Sequence, residues 1–219
     1  MASLCTSTMA DIEKTAVYLN EARRMGLKVY PPDVNLSDSI YTVEDDGIRI
    51  GLNALKNLGE APSKQIIKER EENGKFIGIY DFAKRYNPNI KSFQSLTYSG
   101  AFDAFGARQG MSAVAEDVLK ATRKENKKIS KDQIELFDTR EIVEFEIPDT
   151  EYHQSELLKL EKQTLGIYVS GHPLDDFKNY ITKNTIADLK ESDPGKSKYK
   201  VLVIVTDWST KWTKKGDQI

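Results

Sequence analysis

The 219-residue chain balances 32 Lys and Arg against 34 Asp and Glu, and 39% of its residues are hydrophobic, which excludes a uniformly basic nucleic-acid coat while leaving local patches open. Its longest aliphatic run, Val201 to Val205, is far too short to span a bilayer, and the opening MASLCTSTMA lacks a signal-peptide pattern, so no membrane partner is expected. One cysteine, Cys5, and two histidines, His153 and His172, exclude a disulfide framework, leave little for a metal centre, and fit a reducing, cytoplasmic compartment.

In chain order, Asp11 is placed to cap a helix with the apolar stripe Ile12, Ala16, Leu19 and Ala22, ending near Gly26. Pro31-Pro32 then forces an extended stretch. Arg49 to Lys56 reads as a short element with Ile50, Leu52 and Leu55 apolar, followed by a tight turn at Asn57-Leu58-Gly59. Pro62 suits a first helical turn, and Ile66 and Ile67 supply the buried side of a helix ending near Gly74. Short helices are expected around Tyr80 to Tyr86 and Lys91 to Ser99. Gly100 should end the second, with Phe102 and Phe105 buried in a packing corner. Met111, Val114, Ala115, Val118 and Leu119 fall at i, i+3, i+4, i+7 and i+8 and predict a longer helix.

Glu151 to Leu165 again reads as helix. Gly171-His172-Pro173 breaks the chain, and Leu174, Phe177 and Ile181 restart a helical stripe. Tyr199 to Val205 has a strand pattern apolar on much of both faces. Trp208 and Trp212 follow, then the hairpin-turn signal Lys215-Gly216-Asp217. The two tryptophans suit either base stacking or core packing. One and a half strands cannot bury two faces, so the sequence reads as cut inside a β domain.

Charge is distributed in blocks. Lys120 to Lys131 holds six bases against one acid, Asp138 to Lys162 eight acids against three bases, and Lys190 to Lys215 seven bases against three acids. Such blocks mark segment boundaries or solvated helix faces. The first block also suits contact with DNA, although a solvated face is the simpler explanation.

The segment from Ile50 to Ile67 has helix–hairpin–helix spacing. That chemistry needs small or left-handed-tolerant residues at the turn, so that N–H groups at the next helix start face a phosphate. Asn57 and Gly59 supply the conformations, Leu58 lies between them, and Lys56 and Lys64 add charge. Such contacts position a duplex without reading its sequence. Asn57 stands where the motif usually has glycine, and Glu60 beside the turn works against an anion. A helical corner that merely folds the chain is the competing explanation.

Several blocks then resemble one family in order along the chain. Glu21-Ala22-Arg23-Arg24-Met25-Gly26-Leu27 with Pro31-Pro32-Asp33-Val34-Asn35 resembles the C-family replicative polymerases of bacteria, the DNA polymerase III alpha subunits. Gly51 to Glu60 resembles their hairpin segment, and Ser99-Gly100-Ala101-Phe102-Asp103 the close of a second, degenerate hairpin. Glu161 to Leu174 resembles their next signature block, and Lys214-Lys215-Gly216-Asp217 the first turn of the OB domain that follows.

The resemblance implies a mainly α chain: a tandem helix–hairpin–helix bundle, a helical linker and the first strands of a truncated OB-fold. The implied divisions are residues 1–36 (end of the fingers), 37–128 (hairpin region), 129–140 (clamp-binding peptide), 141–195 (helical connector) and 196–219 (OB start). The family's palm carboxylates lie upstream, so the chain is expected not to polymerise DNA alone. Met1-Ala2 matches an interior stretch of the family, as expected of a fragment, split gene or incomplete gene model. No cofactor is expected here, although the parent polymerase would use Mg.

Gln133-Ile134-Glu135-Leu136-Phe137 has the form of a bacterial clamp-binding peptide, with a glutamine amide at one end and an aliphatic–aromatic pair for an apolar pocket. It lies between a basic and an acidic run, and the resembled family carries its clamp peptide there. A short amphipathic core segment is the alternative. Expected partners are therefore duplex DNA, the sliding clamp (beta) and the rest of the polymerase III holoenzyme. One rival is a hairpin-based base-excision glycosylase with Asp81 as catalytic acid, which needs a base-flipping pocket. The other is a scaffold module that binds protein only. His172 and Cys5 read as structural.

Overall fold

The computed structural model describes residues 1–129 and 145–180, with isolated positions between 185 and 210. It divides into Met1–Ser170 and Gly171–Ile219. The first unit is mainly helical. Helix α1 spans Ala2–Ser7 and α2 spans Ile12–Arg24. Asp11 caps α2, its side chain accepting from the Lys14 N–H at 3.1 Å, and Gly26 follows the helix with φ 85°. The buried stripe is Thr15, Leu19 and Ala22, offset from the predicted one, and Ile12 is 52% exposed. Thr15 turns inward because its hydroxyl donates to the Thr8 carbonyl at 2.7 Å, which satisfies the buried oxygen.

Strands β1 (Lys28–Tyr30), β2 (Thr42–Glu44) and β3 (Gly47–Arg49) form a sheet in the order β1-β3-β2. β1 runs parallel to β3, and β2 antiparallel to it. Gly47 sits opposite Lys28, where a Cβ would strike the Lys28 carbonyl. The short element expected over residues 49–56 is instead the end of β3 followed by a 3-10 turn at Leu52–Ala54. Arg49 belongs to the strand because its guanidinium is fully engaged there. It pairs with Glu44, donates to the Pro31 carbonyl at 3.0 Å and lies 5.2 Å from the Tyr30 ring centre.

The remaining helices are α3 (Glu60–Asn73), α4 (Ile79–Tyr86), α5 (Ile90–Ser99), α6 (Arg108–Ile129) and α7 (Gln154–Leu165). Their core is aromatic. Phe82 packs edge-on against Phe76 at 5.0 Å and Phe102 at 4.9 Å, and Phe93 lies 5.3 Å from Phe102. Phe102 is buried, whereas Phe105 is only partly so. Met111, Ala115, Val118 and Leu119 of α6 are buried as their spacing predicts, with Val114 at the margin. The chain then returns along α6. Phe145 stacks on Tyr80 at 5.5 Å, and the Glu151 carboxylate accepts from the Arg108 N–H at 2.9 Å and the Gln109 N–H at 3.3 Å. A carboxylate at a helix start is favoured by both hydrogen bonding and the helix dipole.

In the second unit, Asp175–Tyr180 forms a 3-10 helix with Phe177 48% and Tyr180 72% exposed. The apolar stripe expected from Leu174 is not buried there, and Ile181 lies outside the described residues. The tighter winding begins where the Asp175 N–H donates to the His172 carbonyl at 2.8 Å and the Phe177 N–H to the Leu174 carbonyl at 3.0 Å. Strand β4 (Thr185–Ile186) pairs in parallel with β5 (Lys200–Val201). Trp208, Trp212 and the Lys215-Gly216-Asp217 turn lie outside the described residues, as does most of the segment expected to start an OB-fold.

Candidate nucleic-acid interface

The predicted hairpin turn forms at residues 55–59. Asn57 adopts a left-handed backbone with φ 64°, a conformation asparagine tolerates better than other side chains. The turn is tied down from three sides. The Leu58 N–H donates to the Leu55 carbonyl at 3.1 Å, the Lys56 N–H to the Thr164 carbonyl at 3.0 Å, and the Ser92 hydroxyl to the Asn57 carbonyl at 3.0 Å. Leu58 is buried beneath it at 1% exposure.

Gly59 is the N-cap of α3 and offers no side-chain oxygen to the first-turn N–H groups. Those groups lack intrahelical partners, and both Glu60 and Ala61 are exposed, as an anion site requires. Lys56 is exposed, and Lys64 is exposed but paired with Glu60 at 2.6 Å. This contact holds the Glu60 carboxyl below its ordinary range. Lys56, Asn57, Gly59 and Lys64 are thus gathered at one helix start, while Leu58 supports them from below.

A second turn of similar construction joins α4 to α5. Asn87 has φ 53°, Pro88 is buried, and Asn89 caps α5 by accepting from the Ser92 N–H at 2.9 Å. The Ser92 side chain and N–H therefore link the two turns directly.

At the C-terminal end of α5 lies a buried ionic cluster that local sequence does not announce. Arg108 donates to Asp103 at 2.7 Å, to Glu161 at 3.1 Å and to the Tyr98 carbonyl at 3.1 Å. Glu161 is fully buried and also accepts from the Val169 and Ser170 N–H groups at 2.7 and 3.0 Å. Burial lowers the Arg108 pKa, but Asp103 and Glu161 together raise it by more, so the guanidinium stays charged. In the sequence Glu161 is only one acid in an acidic block, and its partner is 53 residues away.

Other expectations resolve plainly. Asp81 pairs with Arg85 at 3.1 Å and accepts from the Ile77 N–H at 3.2 Å, which are helix-start contacts. Arg85 also lies 4.3 Å over the Phe76 ring and pairs with Glu69. Cys5 is buried, which raises its thiol pKa, and the His172 ring nitrogen accepts from the Leu174 N–H at 3.2 Å. Gln133, Ile134, Glu135, Leu136 and Phe137 lie outside the described residues. Among the described residues, no His, Cys, Asp and Glu group is gathered as a metal site. No described helix is long and apolar enough to cross a membrane.

A family model for the helix–hairpin–helix motif matches residues 26–111, which contain both turns. The chain is 38% identical over 184 residues to the DNA polymerase III subunit alpha of Deinococcus radiodurans, covering 80% of this chain and 14% of that protein. It is 33% identical to the same subunit of Haemophilus influenzae, covering 100% of this chain and 20% of that protein. The subunit of Thermus aquaticus is 34% identical, over 99% of this chain and 18% of that protein.

The chain belongs to the DNA polymerase III alpha family. It spans a fifth or less of the length of these relatives. The family resemblance is thereby supported over most of the chain, and the helix–hairpin–helix match lies in its first half.

Proposed function

We propose that this chain is a DNA-gripping and clamp-tethering segment of a replicative polymerase, not its chemical centre. The observation that carries the reading is the hairpin at 55–59. Within a span that matches the helix–hairpin–helix family, Asn57 turns the chain so that an uncapped helix start is exposed beside Lys56 and Lys64. Backbone N–H groups there take a phosphate oxygen, and the lysines add sequence-independent attraction. The hairpin units are read as a tandem pair, and the palm carboxylates are assigned to the remainder of the polypeptide seen in the relatives. The segment after residue 195 is read as the start of an OB-fold.

The peptide at 133–137 is proposed as the clamp tether. Gln133 supplies the polar end, Leu136 and Phe137 the anchors, and Ile134 and Glu135 the spacing. A linked anchor raises the local concentration of the weaker DNA contacts, so grip persists without a tight site.

Fluorescence anisotropy on a labelled duplex tests the grip. Wild-type chain should bind at low salt, and Lys56→Ala with Lys64→Ala should weaken binding and flatten its salt dependence. Calorimetric titration with the bacterial sliding clamp tests the tether, where Leu136→Ala with Phe137→Ala should abolish the heat of binding. A chain that ignores duplex at every salt concentration, or incorporates nucleotides unaided, defeats the reading.

A further inference from the structure

We infer that Asn73, at the end of α3, is a site of spontaneous modification: the Gly74 nitrogen closes on the Asn73 side-chain amide, and water then converts the residue to aspartate and isoaspartate. The inference is independent of the proposed DNA contact.

The chemistry needs only water as co-reactant. The Gly74 nitrogen gives up its proton and attacks Asn73 Cγ. The C–N bond of the side-chain amide breaks, ammonia leaves, and a cyclic succinimide forms. Water then opens either ring carbonyl. One opening leaves an ordinary aspartate. The other routes the main chain through the side chain and adds a methylene to the backbone. Glycine favours the attack because no Cβ obstructs the ring and its backbone turns freely.

Asn73-Gly74 is the one Asn-Gly pair in the sequence. Its surroundings leave it open. Residues 71–75 are all exposed, and the buried residues of α3, Ser63 and Ile66, lie well before its last turn. Asn73 ends the helix, and Gly74 follows with φ 81°. Among the described residues, the Gly74 N–H has no hydrogen-bond partner. Rotation about the Asn73 Cα–C bond swings that nitrogen toward Cγ and breaks no backbone hydrogen bond of α3. The contacts given up are those from Arg85 to the Gly74 carbonyl at 2.9 Å and from the Asn73 amide to Glu69 at 3.0 Å.

Asp46-Gly47 is the internal contrast, since it reacts through the same succinimide with water leaving in place of ammonia. There the reacting groups are held. Gly47 is buried and paired with Lys28 on one side and Glu44 on the other, and the Asp46 carbonyl accepts from the Lys28 N–H at 3.0 Å. Lys28, 2.7 Å away, and the Tyr30 hydroxyl hold the Asp46 carboxyl below its ordinary range, and an ionised carboxylate resists attack.

The consequence falls on the corner between α3 and α4. Glu69 accepts from both Asn73 and Arg85 at 3.0 Å, so a carboxylate at position 73 sets like charges together at a helix C-terminus. Phe76 is buried and pinned to Asn35 by two hydrogen bonds of 2.8 Å. An added backbone atom between the helix and that fixed point must displace one of them. The isoaspartyl form therefore loosens the corner more than aspartate does.

The test follows the full chain during incubation at physiological temperature and mildly alkaline pH, with peptide mapping of the tryptic fragment 71–75. In the folded chain, Asn73 should convert several-fold faster than any other asparagine, with the isoaspartyl product in excess, while Asp46 stays unconverted. In urea, Asp46 should react as well. Asn73→Gln should remove the product. Asn73→Asp carries the charge without the longer backbone and should melt above the isoaspartyl chain separated by chromatography. If Asn73 in the folded chain converts no faster than the other asparagines, the helix end is closed and the inference is wrong. Isoaspartate at Asp46 in the folded chain at a matching rate also overturns it, because local sequence then sets the rate and the open helix end does not.

Discussion

The two turns of the hairpin region share a backbone but not a chemistry. Asn57 and Asn87 are the non-glycine residues with left-handed backbone among the described residues. Each precedes a buried apolar residue, Leu58 or Pro88, then an extended N-cap, Gly59 or Asn89, then a helix. The differences lie at the cap and beyond. Gly59 leaves the start of α3 open but places Glu60 beside it, while Asn89 closes one donor of α5 but places Lys91 beside it. The fold therefore sets the turn by steric tolerance, and the few residues after it decide how each helix start meets an anion.

The strongest way to break this comparison is to remove the ion pair that joins α5, the helix after the second turn, to α7, whose Thr164 carbonyl holds the first turn. Arg108 is 6% and Glu161 0% exposed, and Arg108 ties the end of α5 to α7. Removing one partner of such a pair leaves a buried charge unmatched. Arg108→Ala should therefore cost about 3–5 kcal/mol in chemical denaturation. Both hairpins should lose amide protection together in hydrogen exchange. A loss below about 1 kcal/mol would mean that the aromatic core alone supports the turns. Next in size is Leu58→Ala. The side chain is buried under the first turn only, and its loss should cost about 3 kcal/mol. Exchange should then rise at residues 55–60 before residues 85–91.

These two cases also show what the sequence could reveal. The Asn57-Leu58-Gly59 turn, the Asp11 cap, the Pro62 start and the α6 spacing are local, and local rules suffice to find them. The three-stranded sheet escapes such rules because each strand has three residues, too few for a period of two to emerge. Asp45-Asp46-Gly47 carries a turn signal for the β2–β3 hairpin, but no alternating run flanks it. Glu161 escapes for a different reason. Its partner Arg108 and the Val169 and Ser170 N–H groups come together only after the fold closes. Thr15 follows the same logic, since a polar residue can replace Ile12 in the buried stripe once a carbonyl waits for its hydroxyl.

The turns themselves supply a finer contrast. A left-handed backbone costs a non-glycine residue about 1–2 kcal/mol, less for asparagine. Asn57→Ala and Asn87→Ala should each destabilise by about 1 kcal/mol, whereas the glycine variants remove the strain and should fall near zero. Asn57→Gly also loses the bond from its side-chain amide to Ser95, 3.2 Å away. It should be the less stable of the two glycine variants, and equal melting temperatures would show that this bond contributes nothing.

The smallest stability effect carries the most information about function. Gly59 has φ −81°, and a Cβ added to it would meet nothing within 4 Å, so asparagine fits there without strain. Gly59→Asn places a side-chain oxygen at the first turn as Asn89 does at the second, although Pro62 stands where Ser92 donates, so the Ala61 N–H is the donor it can accept from. An asparagine cap exceeds glycine by only a few tenths of a kcal/mol, so melting should rise slightly. Duplex affinity should move the other way, because the donated N–H is withdrawn from phosphate and an oxygen stands in its approach. Asn89→Ala is the reciprocal change. It should cost about 1 kcal/mol of stability by uncapping α5, while leaving a donor open beside Lys91. If Gly59→Asn stabilises the chain and leaves duplex binding intact, the open helix start is not the phosphate site, and the lysines alone hold the DNA.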